Sequence, residues 1–373
     1  MRDYKLISAD SHINEPPDLW RDRVPSKLKD RAPKMVELEQ GSAWIMEGAA
    51  DPINFGLNQC GGLGEEKYVP WVKWEDVRPG GYLPAPRLLQ QDQGGVDAEV
   101  MYPSPRIGNN LFTTRADHQY HLAMVRAYND WMSEFCSHDP ERLIGLALMP
   151  TIGAQAAVDE IRRVMSLPGI KGVILGKYPN GTTAIAPEDD PFWAAAEEMG
   201  TPVNIHVGLA ADPPSGERVP VHPAAFFGAF TGALRFNDVA IRAQEFIYTK
   251  VFDRFPKLDV VFAEVDAAWV PYVREQLDDR YARQRRETRP EFDLQPSEYF
   301  DRNMSWTIVA DALGVKYRHD VGVDQIMWSS DFPHGTCVWP NAWEIIEQEF
   351  AGVPQDEKYK MLAGNAARVY KLG

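Results

Sequence analysis

Lys5-Leu6-Ile7-Ser8-Ala9-Asp10-Ser11-His12 is a short apolar run that ends in an acid and an imidazole, followed by Ile13-Asn14-Glu15-Pro16. In an extended strand alternate side chains share a face, so Asp10 and His12 should project together, with Cα atoms about 6.7 Å apart. An Asp-x-His pair on its own is common by chance. Its meaning depends on whether other strands of the chain end in the same chemistry.

Further β-rich apolar runs occur at 98–102, 143–149, 172–175, 202–205, 258–263, 304–308 and 325–328. Between them, residues 117–136, 153–165, 190–199, 238–252, 270–286 and 356–370 carry apolar positions at helical spacing. Strands alternating with helices predict a parallel sheet with crossover helices, and roughly eight such units fit a closed (β/α)₈ TIM barrel. At 373 residues the chain is long for one domain, but barrels of this size are ordinary, and we expect a single domain over 1–373. Residues 20–95 break the rhythm with Pro, Gly and Trp; they are expected to form an irregular arm or lid inserted after the first strand, with a short hairpin near Ala43-Trp44-Ile45-Met46.

Composition excludes several classes. Lys and Arg total 39 against 54 Asp and Glu, a net charge of −15, which argues against nucleic acid. No apolar run reaches the length of a membrane span, and the first residues lack a basic segment followed by an apolar one, so a cytoplasmic protein with no membrane partner is expected. Cys60, Cys136 and Cys337 are odd in number and widely spaced, and read as ordinary reduced thiols. Gly61-Gly62-Leu63-Gly64 lacks the strand before and helix after that a phosphate cradle needs.

The other strand ends supply the missing chemistry. His206 closes the run at 202–205, Glu264 closes 258–263, and Asp331 follows 325–328, with Pro333 and His334 just beyond. Any one of these alone reads more readily as a strand-end cap or a satisfied core polar group. Together with Asp10 and His12 they put five ligand-type residues at four strand ends, on the rim where barrels build their sites. Burying that many carboxylates and imidazoles without a cation would be costly.

At these residues the chain resembles the amidohydrolase-related group that includes the aminocarboxymuconate-semialdehyde, orsellinate- and salicylate-type decarboxylases. The resemblance rests on Ile7 through Pro16, on Val203-Asn204-Ile205-His206 and on Trp328-Ser329-Ser330-Asp331-Phe332-Pro333-His334. Phe255-Pro256-Lys257-Leu258 and Gly364-Asn365-Ala366-Ala367-Arg368-Val369-Tyr370 match as well, and the likeness runs nearly end to end. It implies one divalent ion, zinc or manganese, held by Asp10, His12, His206 and Asp331. Two positions depart from the group's pattern: Asp10 stands where histidine is frequent, and Glu264 where the sixth strand often ends in an acid–base histidine. Glu264 can shuttle a proton or bind metal. With Glu15 and His334 it would provide ligands for a second ion, as in dinuclear iron or iron–manganese oxygenases on the same barrel.

The expectation is therefore a metal-dependent decarboxylase or hydrolase of a small carboxylated, aromatic or unsaturated compound. Asp331, Glu264 and His206 are its candidate catalytic residues. A dinuclear oxygenase is the first alternative and a non-catalytic partner subunit the second. Arg106, Lys177 and Arg235 are candidate carboxylate clamps, His222 a candidate mouth residue, and Trp306 a candidate aromatic wall. A homodimer or higher oligomer is expected.

Overall fold

Eight parallel strands follow one another around a barrel in the order in which they occur in the chain. The computed structural model describes residues 2–113, 117–207 and 236–373. Strand β1 (Ile7–His12) is followed by the hairpin β2 (Lys34–Leu38) and β3 (Gly41–Ile45). The barrel then continues through β4 (Ala98–Tyr102), β5 (Leu143–Leu148), β6 (Ile170–Leu175) and β7 (Val203–His206). It ends with β8 (Val260–Ala263), β9 (Met304–Ile308) and β10 (Ile326–Trp328). The ring comes together just past β10, where Asp331 N donates to Asp10 O at 3.1 Å and His12 N donates to Phe332 O at 2.7 Å. This seam joins the two ends of the chain's barrel.

These strands form because their runs suit burial on both faces. Leu143-Ile144-Gly145-Leu146-Ala147-Leu148 is buried throughout, packed inward against the barrel interior and outward against helices. The helices fall close to the expected positions. His118–Cys136 starts at Asp117, whose side chain accepts from Gln119 N and Tyr120 N. Asp190–Met199 has Pro191 in its first turn and ends at Gly200 in the left-handed region. The stretch expected at 238–252 is instead two helices, Phe236–Tyr248 and Val251–Arg254, because Lys250 adopts φ 59° between them.

The insertion after β1 holds more regular structure than its composition suggests. Besides the β2–β3 hairpin it contains the helix Pro84–Gly94, begun by a proline and ended by Gly95 at φ 64°. Part of the insertion rests on the loop after β10: Gly61 N donates to Pro333 O at 2.9 Å and Gly335 N to Leu57 O at 3.1 Å. The Tyr68 ring lies so close to Gly335 that a Cβ there would sit 1.9 Å from Cε2. Among the described residues no helix is long and apolar enough to cross a membrane.

Candidate metal centre

Six side chains converge at the C-terminal ends of the barrel strands. The pairing of β1 with β4 slips by a residue between Ser8 and Ser11, so Asp10 lies within a bulge and His12 just past it, rather than on an ideal strand. They still meet: His12 Nε2 is 3.5 Å from Asp10 Oδ1. His206, the last residue of β7, places its Nε2 3.5 Å from Asp10 Oδ2 and 3.1 Å from His12 Nε2. Asp331 Oδ1 lies 3.5 Å from His12 Nε2, and Glu264 Oε2 lies 3.5 Å from His206 Nε2. Glu264 and Asp331 both reach inward from residues at left-handed φ, 58° and 56°.

Both imidazoles are turned the same way. His12 Nδ1 lies 2.8 Å from Pro103 O, and His206 Nδ1 lies 2.7 Å from Val207 O. A carbonyl only accepts, so each Nδ1 carries a proton and each Nε2 points into the cluster, the atom left to bind an ion. The His334 ring stacks on His12 at 3.8 Å, with Nδ1 2.9 Å from Asp331 Oδ1. Thr336 Oγ1 donates to Asp331 Oδ2 at 2.7 Å.

The cluster is short of positive charge. Neither oxygen of the buried Asp10 carboxylate accepts a hydrogen bond, and His334 Nε2 has no partner. Burial pushes the Asp10 carboxyl above its ordinary range, against the pull of His206. Burial and then repulsion from Asp331 raise Glu264 to about 7. For Asp331, burial is outweighed by His334 and Thr336, which hold it below the usual range. Burial, reinforced by His334, pushes His12 well down, while Asp10 and Glu264 overcome burial at His206 and raise it to about 9.

Donors about 2.1 Å from one cation in a tetrahedron lie about 3.4 Å apart. The spacings of 3.1 and 3.5 Å from His12 to Asp10, His206 and Asp331, and from His206 to Asp10 and Glu264, are close to that value, although Asp10 and Asp331 do not fall in one group. Two overlapping groups can hold an ion with all donor atoms within 4.8 Å: Asp10, His12, His206 and Glu264; and His12, Glu264, Asp331 and His334. The donor set, nitrogen and carboxylate oxygen, suits zinc or manganese.

Other sequence candidates are placed elsewhere. Glu15 is not in either donor group; its Oε1 accepts from Ser104 N at 3.0 Å. Trp306 is core rather than mouth: on β9 it faces the helices and stacks on Phe262 at 5.2 Å, with Trp269 and Phe300 against it. Its neighbour Thr307 turns inward, where its Oγ1 accepts from Glu264 N at 2.7 Å. Arg106 is engaged by Asn54 of the insertion, 2.7 Å from Oδ1. Lys177 is buried just past β6. His222 and Arg235 lie outside the described residues.

Sequence reading missed Arg87 and Glu99, a fully buried ion pair (2.6 Å) behind the seam. The proline-to-glycine framing of residues 84–95 was the available signal for a helix there.

A family model described as amidohydrolase matches residues 9–372. The chain is 23% identical over 306 residues to the gamma-resorcylate decarboxylase of Rhizobium sp. (strain MTP-10005), covering 77% of this chain and 86% of that protein. Its fold is similar to that of an amidohydrolase from Mycobacterium avium subsp. paratuberculosis K-10, with TM-score 0.72, 20% identity, and 99% and 98% of the two chains covered. It is also similar to 5-carboxyvanillate decarboxylase from Novosphingobium aromaticivorans, solved with manganese and 4-hydroxy-3-methoxy-5-nitrobenzoic acid. There the TM-score is 0.68 at 18% identity, with 99% and 96% covered.

Proposed function

From the premise that this chain belongs to the amidohydrolase family, we propose that it is a divalent-metal-dependent decarboxylase of a small aromatic or unsaturated carboxylic acid. Relatives named as aromatic-acid decarboxylases support the reaction class, and manganese in one of them supports the cofactor. The observation that carries the reading is the Asp10 carboxylate, buried with no hydrogen bond and with the Nε2 atoms of His12 and His206 each 3.5 Å from one of its oxygens.

Asp10, His12, His206 and Asp331 would hold the ion. A bound divalent ion there polarises an oxygen of the substrate and offsets its carboxylate charge. Glu264 is the carboxylate of the cluster with most access to the mouth, its side chain 16% exposed against 0% for Asp10 and 1% for Asp331. It supplies the proton to the carbon that loses CO₂: the C–C bond breaks, its electron pair stays on that carbon, and the Glu264 proton takes its place. His334 and Thr336 keep Asp331 ionised and fixed. The insertion at 20–95 acts as a lid, since its 57–61 and Tyr68 segments lean on the loop carrying His334.

Incubating the manganese-loaded protein with a panel of hydroxybenzoic acids in D₂O tests the reaction. Release of CO₂ with one deuterium at the vacated carbon is expected. Hydrolytic products or no turnover across carboxylated aromatics and muconic-type acids would overturn it.

A dinuclear oxygenase is the second reading. It is favoured by the second donor group, His12, Glu264, Asp331 and His334, and by the buried, partnerless His334 Nε2. Two ions per chain together with oxygen-dependent turnover would select it over the decarboxylase. Exposed Tyr272, Leu313 and Tyr317 around a groove of about 610 Å³ support a homo-oligomer, which light scattering would check. The three free thiols support a reducing, cytoplasmic setting.

A further inference from the structure

Arg87 lies behind the proposed metal centre and takes no part in its chemistry. Its side chain is wholly buried. Nε donates to Glu99 Oε2 at 2.6 Å and Nη2 to Glu99 Oε1 at 3.3 Å. Its remaining donors go to backbone: Nη1 to His12 O at 2.9 Å and Gly80 O at 3.3 Å, Nη2 to Phe332 O at 3.4 Å. The guanidinium also sits 4.6 Å over the Phe332 ring. His12 ends β1 and Phe332 follows Asp331, so one planar cation spans both sides of the barrel seam.

Glu99, on β4, is itself fixed. It accepts from Gln91 Nε2 at 2.8 Å and from Ser11 Oγ at 3.0 Å. Ser11 stands between Asp10 and His12, and its hydroxyl also meets Ser8 and Ser330 at 2.8 and 3.1 Å. A guanidinium gripped by both oxygens of a carboxylate cannot rotate, which fixes the direction of its other N–H groups. Buried ion pairs rarely add net stability, because desolvation offsets the attraction. This one specifies a distance: the separation of the backbone that carries Asp10 and His12 from the backbone that carries Asp331.

We propose that Arg87, oriented by Glu99, is a positioning residue that sets the seam so that His12 on one side and Asp331 on the other can share one divalent cation. The inference rests on the metal reading above and adds the device that tunes affinity. It is tested on metal-free protein by titrating Mn²⁺ in competition with a chelator, and by thermal unfolding without metal. The variants are R87K, the paired R87M/E99M, and R163M as a control in an ionic cluster on the outer helices. R87K and R87M/E99M should bind Mn²⁺ ten- to a hundredfold more weakly, the usual effect of losing support behind metal ligands (about 10–100-fold). The paired variant should unfold near the wild-type temperature, since it removes both charges together. R163M should unfold earlier with unchanged Mn²⁺ affinity. Wild-type affinity in both Arg87 variants would overturn the positioning role while leaving the metal reading standing. Failure of the wild-type protein to bind Mn²⁺ would remove both.

Discussion

Glu160, on the outer helix Ala154–Val164, and Asp10, at the barrel mouth, are both carboxylates with no exposed surface. Glu160 Oε1 accepts from Asn129 Nδ2 and Arg163 Nη2, at 2.8 and 2.7 Å. Its Oε2 accepts from Arg126 Nε and Arg163 Nε, at 2.9 and 3.0 Å. Burial would raise its carboxyl, but these donors hold it below the usual range. Asp10 accepts no hydrogen bond and sits above that range. The acid in the helices brings its donors with it, whereas Asp10 keeps its lone pairs open at an energetic cost that a bound cation would offset.

The sharpest way to break this contrast is to remove a neighbour of Asp10. His206→Ala and Asp331→Ala should each lose the ion and at least about a thousandfold in activity, since a metal's charge stabilisation amounts to several kcal/mol. Elemental analysis beside a CO₂-release assay checks this, and full metal occupancy in both variants would end the reading of His206 and Asp331 as ligands. Glu264→Gln should lower kcat by about 10²–10⁴-fold, the range for a lost general acid, with the metal retained. If metal content instead halves from two ions to one, the dinuclear reading gains. Arg163→Met on the outer helix should destabilise by on the order of 3–4 kcal/mol, discounted for the partial exposure of that side chain. Denaturant titration would measure this, and kcat and metal content should stay at wild-type values.

Glu15 is an intermediate case that refines the contrast. One of its oxygens accepts from Ser104 N while the other has no partner, and burial raises it to about 7. Between the ordinary 4.5 and about 7 the folded chain keeps this proton and the unfolded chain has lost it. Stability contributed by Glu15 therefore falls as pH rises through that window, and above it the ionised group costs on the order of 3 kcal/mol. Glu15→Gln should gain about that amount at pH 8 and nothing near pH 4, which melting temperatures across pH would record. A pH-independent difference would show that the carboxyl is not held protonated.

The barrel was legible because each strand is a short apolar run between helical stretches, and β4 and β9 fall on the expected 98–102 and 304–308. The convergence of Asp10, His12, His206, Glu264 and Asp331 was legible for a related reason: strand ends in a parallel barrel share one rim. Side-chain direction was not legible. Trp306 read as a pocket wall, yet alternation on β9 sends it outward and Thr307 inward. Nor was Arg87, because it lies in a stretch without strong periodicity and its partner Glu99 sits on a strand whose apolar neighbours suggested only core.

Glu264 and Asp331 occupy backbone conformations in which glycine is at home and any other residue is strained by roughly 1–2 kcal/mol. A selection for heat resistance alone would therefore reward exchanging either acid for glycine, each step yielding a tougher barrel with an emptier mouth. Libraries aimed at hardening this scaffold need those two codons locked from the outset.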